Sequence, residues 1–492
     1  MYDNRNIAAL LDEHAIRRAR HPAIIEDGRV LNYAELAPLV RRTARLLGQL
    51  NISQGDIVGV CLKDSADHLV VMFALARLGA VILPLDWRWS GPEKQRIARF
   101  FGVKRVIVEP GDDIAEIQCD AMDDAWHGAV AQQEPACPCA NGGDQPLVLS
   151  LSSGTTGRPK GPMLSHRQFI ARLMIQWVTL GFSQHDRYLS ATPLYFGGGR
   201  SFTLGSLFSG GTVIMFPPPY EPEQLVTAVA ELAPTTMLLV PTLLRRLLAL
   251  PDTGAPLLGG LKRLLSTGAV LHPDERAEVM ARLHPEFINY YGSTEGGGIT
   301  VLLPEHQGSA AASVGEPVFA TEVAVVDGDA HAVAAGEPGL VRYRGPAVAE
   351  SFHLDPEASE EAFRDGWFYP GDIGKLDSDG RLYLVGRAKD VIIRAGVNIY
   401  PGEIEQVLIA HPSVRDAAVV AWPSPMMGEE IAAYVVTDSD VDLTDLEAHC
   451  RAQLASYKIP RRIFTLTELP KSPLGKVLKA DLAAQLPALD GD

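Results

Sequence analysis

The chain has 492 residues, enough for about three average domains or for one large domain with a smaller companion. With 47% apolar and 21% charged residues it has ordinary globular composition and can bury a large core without staples. The balance of 44 Lys and Arg against 60 Asp and Glu leaves a net charge of -16, which opposes a phosphate backbone and argues against nucleic acid as a partner.

The cysteines Cys61, Cys119, Cys137, Cys139 and Cys450 are too few and too scattered for a disulfide framework. Cys137 and Cys139 have no second ligand pair nearby to make a zinc site. The opening MYDNRNIAALLDEH lacks the basic start and apolar stretch of a secretory signal. The apolar windows around Val70 to Leu85 and Leu232 to Leu250 carry Arg or Pro inside, so no membrane span is expected. A cytoplasmic location is the expectation.

In chain order, Leu36, Leu39, Val40, Leu46, Leu47 and Leu50 recur at helical spacing, and Ile57 to Cys61 form a short β-type run. Leu147 to Leu151 reads as a buried strand, followed by a Gly/Ser/Thr loop and a helix over His166 to Leu180. Ser165 and Gln168 fit a capping box at that helix start, and Gly181 suits its end. Glu223 to Leu232 reads as helix, Thr236 to Val240 as strand, Asp274 to Leu283 as helix and Phe287 to Tyr291 as strand. This alternation predicts α/β architecture with helix-covered sheets.

After Gly315 short strands such as Gly339 to Tyr343 and Arg381 to Val385 alternate with Gly, Pro and Asp turns, predicting a distorted, barrel-like antiparallel section. From Asp390 the pattern is strand, helix (Gly402 to Ala410), strand (Val414 to Ala421), strand (Ile431 to Thr437), helix and strand. The expected domains are therefore a large N-terminal unit, 1–388, and a small α+β unit, 389–492.

The string SSGTTGRPKG, Ser152 to Gly161, places glycines and hydroxyl residues with Lys160 behind a buried strand. Such a loop can turn backbone N–H groups, hydroxyls and an ammonium onto one polyphosphate. It is not a Walker A sequence, because Gly-Lys-Ser/Thr is absent at the required distance.

This string resembles the phosphate-loop signature of the AMP-forming adenylate enzymes: acyl-CoA ligases, peptide-synthetase adenylation domains and luciferases. NYYGSTEGG (Asn289 to Gly297), GWFYPGDIG (Gly366 to Gly374), GRAKDVIIRAGVNIYPGEIE (Gly386 to Glu405) and LPKSPLGKVLKADL (Leu469 to Leu482) are similar to later motifs of the family in order, as is the opening HPAIIEDGRVLNYAEL. The likeness spans essentially the whole chain.

The resemblance implies that a carboxylate attacks the α-phosphate of ATP, so like charges have to be neutralised and aligned. It places Ser152, Ser153, Gly154, Thr155, Thr156, Gly157 and Lys160 around the phosphates and Glu295 as the ligand of Mg2+. Thr294 becomes a hydroxyl donor, with Gly292 and Ser293 beside it, and Tyr291 an aromatic against adenine. Gly268, Ala269 and Val270 become the strip along adenine and acyl group. Asp372 would hold the ribose hydroxyls, with Arg387 adding a ribose or phosphate contact. Lys476 is the expected catalytic cation, Lys471 and Lys479 beside it are read as solvated, and Lys389 marks the hinge. Arg394 and Gly396 would approach the pantetheine channel, and Met427 and Gly428 lie on the CoA side.

TPLYFGGGRSF, Thr192 to Phe202, corresponds to the start of the family's acyl-pocket helix, with Phe196 where a His is frequent. Tyr195 and Phe196 form an aromatic wall. Gly197, Gly198 and Gly199, together with Gly296 and Gly297, suggest a roomy apolar pocket for an aryl, alicyclic or medium-chain acid, with backbone flexibility as the other reading of the glycines. Arg200 would pair with a second substrate carboxylate or bind neighbouring backbone.

The expected function is an AMP-forming acid:CoA ligase using ATP, Mg2+ and CoA. The alternatives are transfer of the acyl group to a carrier-protein thiol or an amine, and, in another class, a non-catalytic nucleotide-binding member. Expected partners are the small-molecule acid, ATP and CoA, with an acyl carrier protein or a homodimer as further options, and without nucleic acid or membrane span.

Overall fold

The computed structural model describes residues 5–151, 159–395, 397–424, 426–437, 442–471 and 477–487. Two largely parallel sheets form the large unit, as the strand–helix alternation predicts. One has six strands in the spatial order Cys119–Ala121, Arg105–Val108, Ile57–Cys61, Val81–Pro84, Pro146–Leu149 and Met163–Ser165. All of its pairings are parallel except the last. Strands buried on both faces read as continuous apolar runs, which is why Ile57–Cys61 and Val81–Pro84 show no alternation.

The second sheet has nine strands and runs from Glu316–Pro317 through Gly297–Leu302, Phe287–Ser293, Arg263–Ser266, Thr236–Leu239, Arg187–Ser190 and Thr212–Met215 to Pro22–Glu26 and Arg29–Asn32. Its middle is parallel and its two edges antiparallel. The helices His166–Leu180 and Gly197–Phe208 belong to this unit, and both carry buried polar side chains. Ser165 accepts from the Gln168 N–H at 3.2 Å and Gln168 accepts in return at 2.9 Å, so the capping box forms as read. Gly181 closes the helix at φ +66°, a conformation that favours glycine.

The section expected to be barrel-like is a six-stranded antiparallel sheet between Glu322 and Arg387. An isolated bridge, Gly315 with Leu382, ties it to the nine-stranded sheet. The last unit is a five-stranded sheet of Val397–Ile399, Ile392–Arg394, Gly428–Thr437, Val414–Ser424 and Arg462–Leu466 with the helices Pro401–Ile409 and Leu443–Gln453. Its own core holds Ile392, Ile404, Leu408, Val419, Val435 and Leu446. Among the described residues no helix is long and apolar enough to cross a membrane, and the five cysteines are free thiols.

Candidate active site

The residues Ser152, Ser153, Gly154, Thr155, Thr156 and Gly157 lie outside the described residues, but both ends of their loop are defined. Pro146–Leu149 pairs antiparallel with Met163–Ser165, and the Ser150 N–H donates to the Pro162 carbonyl at 3.1 Å. A short antiparallel return strand therefore stands between the strand Pro146–Leu149 and the helix His166–Leu180. A return strand of three residues is too short to leave a period in the sequence. Gly161 is required there, since a Cβ would collide with the Ser150 carbonyl. The Lys160 ammonium stands 3.9 Å over the Phe352 ring.

Tyr290 and Tyr291 are consecutive in an extended strand and so face opposite ways. Tyr290 packs edge-on against Phe202, while the Tyr291 hydroxyl donates to the Asp372 carboxylate. Asp372 and Arg387 sit directly across neighbouring strands, and the Arg387 Nε is 2.8 Å from Asp372 Oδ1. Arg387 also donates to the Pro370 carbonyl at 2.8 Å. Burial, reinforced by the Asp372 charge, holds the Tyr291 phenol well above its ordinary range, so it stays a donor. Three residues drawn from three separated motifs thus form one hydrogen-bonded group.

Next along the chain, the Ser293 hydroxyl meets the Tyr343 hydroxyl at 2.6 Å and accepts from the Gly296 N–H at 2.9 Å. The backbone of Thr294 and Glu295 is held by Arg172. Its Nη1 donates to the Thr294 carbonyl at 3.1 Å, its Nη2 to the Glu295 carbonyl at 2.6 Å and its Nε to the Ala347 carbonyl at 3.0 Å. Burial lowers this guanidinium to about 10, which leaves it charged near neutral pH. Arg172 was not among the residues singled out from the sequence. A signal was present: Gln168, Arg172 and Gln176 are polar at positions i, i+4 and i+8 of one helix, and all three are buried.

The acyl side differs from expectation in two respects. Room was expected at Gly296 and Gly297. A Cβ at Gly296 would clash with the edge of the Tyr343 ring, and one at Gly297 would lie 3.1 Å from the Arg172 side chain, so these glycines make way for the protein's own side chains. Gly198 is backed by Phe196 and Leu238 and Gly199 by the carbonyls of Thr192 and Pro193, leaving Gly197 as the member of its triplet that faces open space. Arg200 is 2% exposed and spends its donors on the carbonyls of Leu194 and Tyr195, both at 3.1 Å, and on the Ser150 hydroxyl at 2.7 Å. It therefore follows the backbone-binding reading and not the pairing with a second carboxylate.

Phe196 caps the helix Gly197–Phe208, and its ring tip lies 3.4 Å from where a Cβ of Gly268 would stand. Gly268 has φ +99°, which excludes side chains and leaves the strip open, while Val270 is exposed. The Tyr195 hydroxyl is 2.8 Å from Arg88, which is paired with Asp86 at 2.7 Å. Behind this loop the Leu194 N–H donates to Asp64 at 3.0 Å, and burial pushes the Asp64 carboxyl up to about 7.

In the last unit, Lys389 is exposed in the turn Ala388–Asp390. Arg394 makes a two-pronged pair with the buried Glu430, at 2.7 and 2.9 Å. The Ala395 N–H donates to the Met427 carbonyl at 2.8 Å and Arg394 registers with Gly428, which brings together residues from two separate motifs. Gly396 and Lys476 lie outside the described residues. Lys471 and Lys479 are paired at 2.6 Å with Asp416 and Glu405, which corrects the expectation that they are merely solvated.

Parallel α/β sheets, an antiparallel section carrying Asp372 and Arg387, and a small α+β unit behind a short turn define the architecture of the adenylate-forming enzymes. ATP-bound MatB from Rhodopseudomonas palustris superposes with a TM-score of 0.90 at 28% identity, covering 98% of each chain. The o-succinylbenzoate CoA synthetase of Bacillus subtilis in complex with its acyl-adenylate intermediate gives 0.87 at 27% identity, covering 98% of this chain and 99% of that one. The feruloyl-CoA synthase of an Amycolatopsis species is 33% identical over 480 residues, 95% of this chain and 97% of the relative. The chain belongs to the AMP-binding enzyme family, which matches residues 11–353, with the C-terminal domain of that family matching residues 403–476.

Proposed function

We propose that the chain is an AMP-forming carboxylic acid:CoA ligase, and the observation that carries this reading is the Tyr291–Asp372–Arg387 group set beside the clamped Thr294–Glu295 backbone. In the first step a substrate carboxylate oxygen bonds to the α-phosphorus of ATP and the bond to pyrophosphate breaks. In the second the CoA thiolate attacks the acyl carbon and AMP leaves.

Asp372 has the acceptor oxygens to hold the two ribose hydroxyls, and Arg387 fixes its orientation. The Thr294 hydroxyl and the Ser152 to Lys160 loop supply donors to the phosphates, and Lys476 bridges the attacking carboxylate and a phosphoryl oxygen as charge builds. The Glu295 carboxylate is half-buried and makes no hydrogen bond or ion pair among the described residues. A hard oxygen donor left without such a partner fits Mg2+, which takes its other ligands from phosphate and water. When bound, the ion neutralises the phosphates and orients pyrophosphate as a leaving group.

Open space at Gly197, with Phe196 beside Gly198 and Gly268, suits an apolar acid of the aryl, alicyclic or medium-chain kind, and with Arg200 committed internally a single carboxylate is favoured. Residues 1–388 are read as the adenylating unit and 389–492 as a cap that turns about Lys389 to bring Arg394, Gly396, Met427 and Gly428 to the CoA side. A carrier-protein thiol or an amine remains the competing acceptor.

The test is pyrophosphate release from ATP and Mg2+ across a panel of acids, with and without CoA. Acid-dependent pyrophosphate and AMP, with acyl-CoA formed only when CoA is supplied, are expected. Cleavage of ATP to ADP would overturn the reading, and AMP release driven by a carrier protein but not by CoA would replace the acceptor.

A further inference from the structure

Two buried cations under the site are unaccounted for by the roles above. Arg172 and Arg200 lie on the helices His166–Leu180 and Gly197–Phe208, and both are fully enclosed. Among the described residues neither forms an ion pair with a carboxylate; their donors go to carbonyl oxygens and to one hydroxyl. The Nε of Arg200 has no partner among those residues. The two are close enough for the charge of Arg172 to act on Arg200. Each holds a different motif of the site: Arg200 binds Ser150, two residues before Ser152, and Arg172 binds the carbonyls of Thr294 and Glu295.

A buried guanidinium without a counter-ion is costly, and apolar residues of like volume fill such space at least as well. Two of them on helices packed against each other repel. The cost is offset when a polyanion enters, because charge fixed in a low-dielectric floor acts strongly on phosphate and needs no reorganisation. We propose that Arg172 and Arg200 form a cationic floor that favours the triphosphate of ATP, and that Arg172 is in addition the positioning residue of the Thr294–Glu295 backbone. The proposal rests on the ligase reading.

The test compares binding of ATP with Mg2+ and of uncharged adenosine to the full-length chain by titration calorimetry, without acid. Arg172→Gln and Arg200→Gln remove charge while keeping an amide donor, and Arg172→Lys and Arg200→Lys keep the charge. Each Gln variant is expected to weaken ATP by about tenfold and to leave adenosine within about twofold, with the Lys variants close to wild type for both. Arg172→Lys should nevertheless lose turnover, since an ammonium cannot reach three carbonyls.

Equal losses of ATP and adenosine, or equal behaviour of Gln and Lys variants, would reduce the arginines to structural parts and overturn the proposal. Should a Gln variant fail to fold, the Lys variant of the same residue decides: it must keep the wild-type preference for ATP over adenosine. Wild-type chain that binds adenosine and ATP alike would overturn the floor alone, whereas wild-type chain that binds neither would remove the ligase reading beneath it.

Discussion

Asp64 shows how one buried carboxyl can set a pH dependence. Its side chain is 9% exposed, its burial raises the carboxyl to about 7, and the Asp86 charge adds to this, while the Leu194 N–H and Arg88 oppose it. His68, 3.8 Å away, is lowered to about 4 by burial and is neutral through the range that matters. A folded value above the unfolded one means that the stability from neutral Asp64 is complete below about pH 4 and is lost as pH rises through 7. Asp64→Asn keeps the acceptor for Leu194 and cannot ionise. Its melting temperature should match wild type near pH 4, exceed it increasingly between about pH 4 and pH 7 and keep a constant lead above that, checked by thermal unfolding from pH 4 to pH 8.5; a gap that does not change with pH would refute the assignment.

The residues legible in the sequence are those whose chemistry is local to a motif. Tyr291, Asp372 and Arg387 were each named from their own string, and they meet as one group. Asp64 escaped because an isolated Asp in a loop carries no sign of burial until the fold is closed, and Arg172 because the polar row Gln168, Arg172 and Gln176 reads equally as a solvated helix face.

At the scale of elements, glycine runs are the instructive case, since one composition has opposite meanings in two places. In the strand turn after Glu295 the space beside Gly296 and Gly298 is filled by Tyr343 and Tyr290. At the start of the helix Gly197–Phe208 nothing lies within 4 Å of a Cβ placed on Gly197. Gly296→Ala must therefore displace a buried aromatic ring and should cost about 1–3 kcal/mol, as overpacking does. Gly197→Ala should be neutral or stabilise by up to about 1 kcal/mol through lost chain entropy, at the expense of pocket room. Denaturant unfolding of both variants checks this, and a Gly197→Ala loss as large as that of Gly296→Ala would show that the first triplet is packed as well.

Long elements were readable because their periods are. His166–Leu180 and Ile57–Cys61 have the limits expected from patterning and caps. The return strand Met163–Ser165 is too short to show a period, and within the expected helix Asp274 to Leu283 nothing marks the change to a π-helical turn at Val279–Leu283. The hairpin Pro22–Asn32 forms the edge of the nine-stranded sheet by pairing with Thr212–Met215, a contact so distant in sequence that no local pattern announces it.

For the whole molecule, the charges between the units bear on how they move. Asp416 and Glu405 of the last unit are paired with Lys471 and Lys479, and their field reaches His272 of the large unit; that of Asp416 also reaches Arg245, itself paired with Glu275. Charged groups of the last unit thus lie within electrostatic reach of His272 and Arg245 of the large unit. The covalent link is short. Leu382–Arg387 belongs to the sheet that carries Asp372, Ile392–Arg394 begins the sheet of the cap, and only the turn Ala388–Asp390 and Val391 lie between. The Ala388 N–H is anchored on the Gly371 carbonyl at 2.8 Å, so the cap rotation proposed above would be absorbed just after it, at Lys389.

A proline at 389 fits the first positions of such a turn but fixes its φ. Lys389→Pro should therefore leave pyrophosphate release without CoA close to wild type and slow conversion of supplied acyl-AMP to thioester by at least an order of magnitude. Single-turnover assays of the two half-reactions separate these outcomes. A thioester rate equal to wild type would place the pivot elsewhere in the chain, and equal slowing of both steps would mean that the substitution distorts the Asp372–Arg387 strand pair instead of stiffening a hinge.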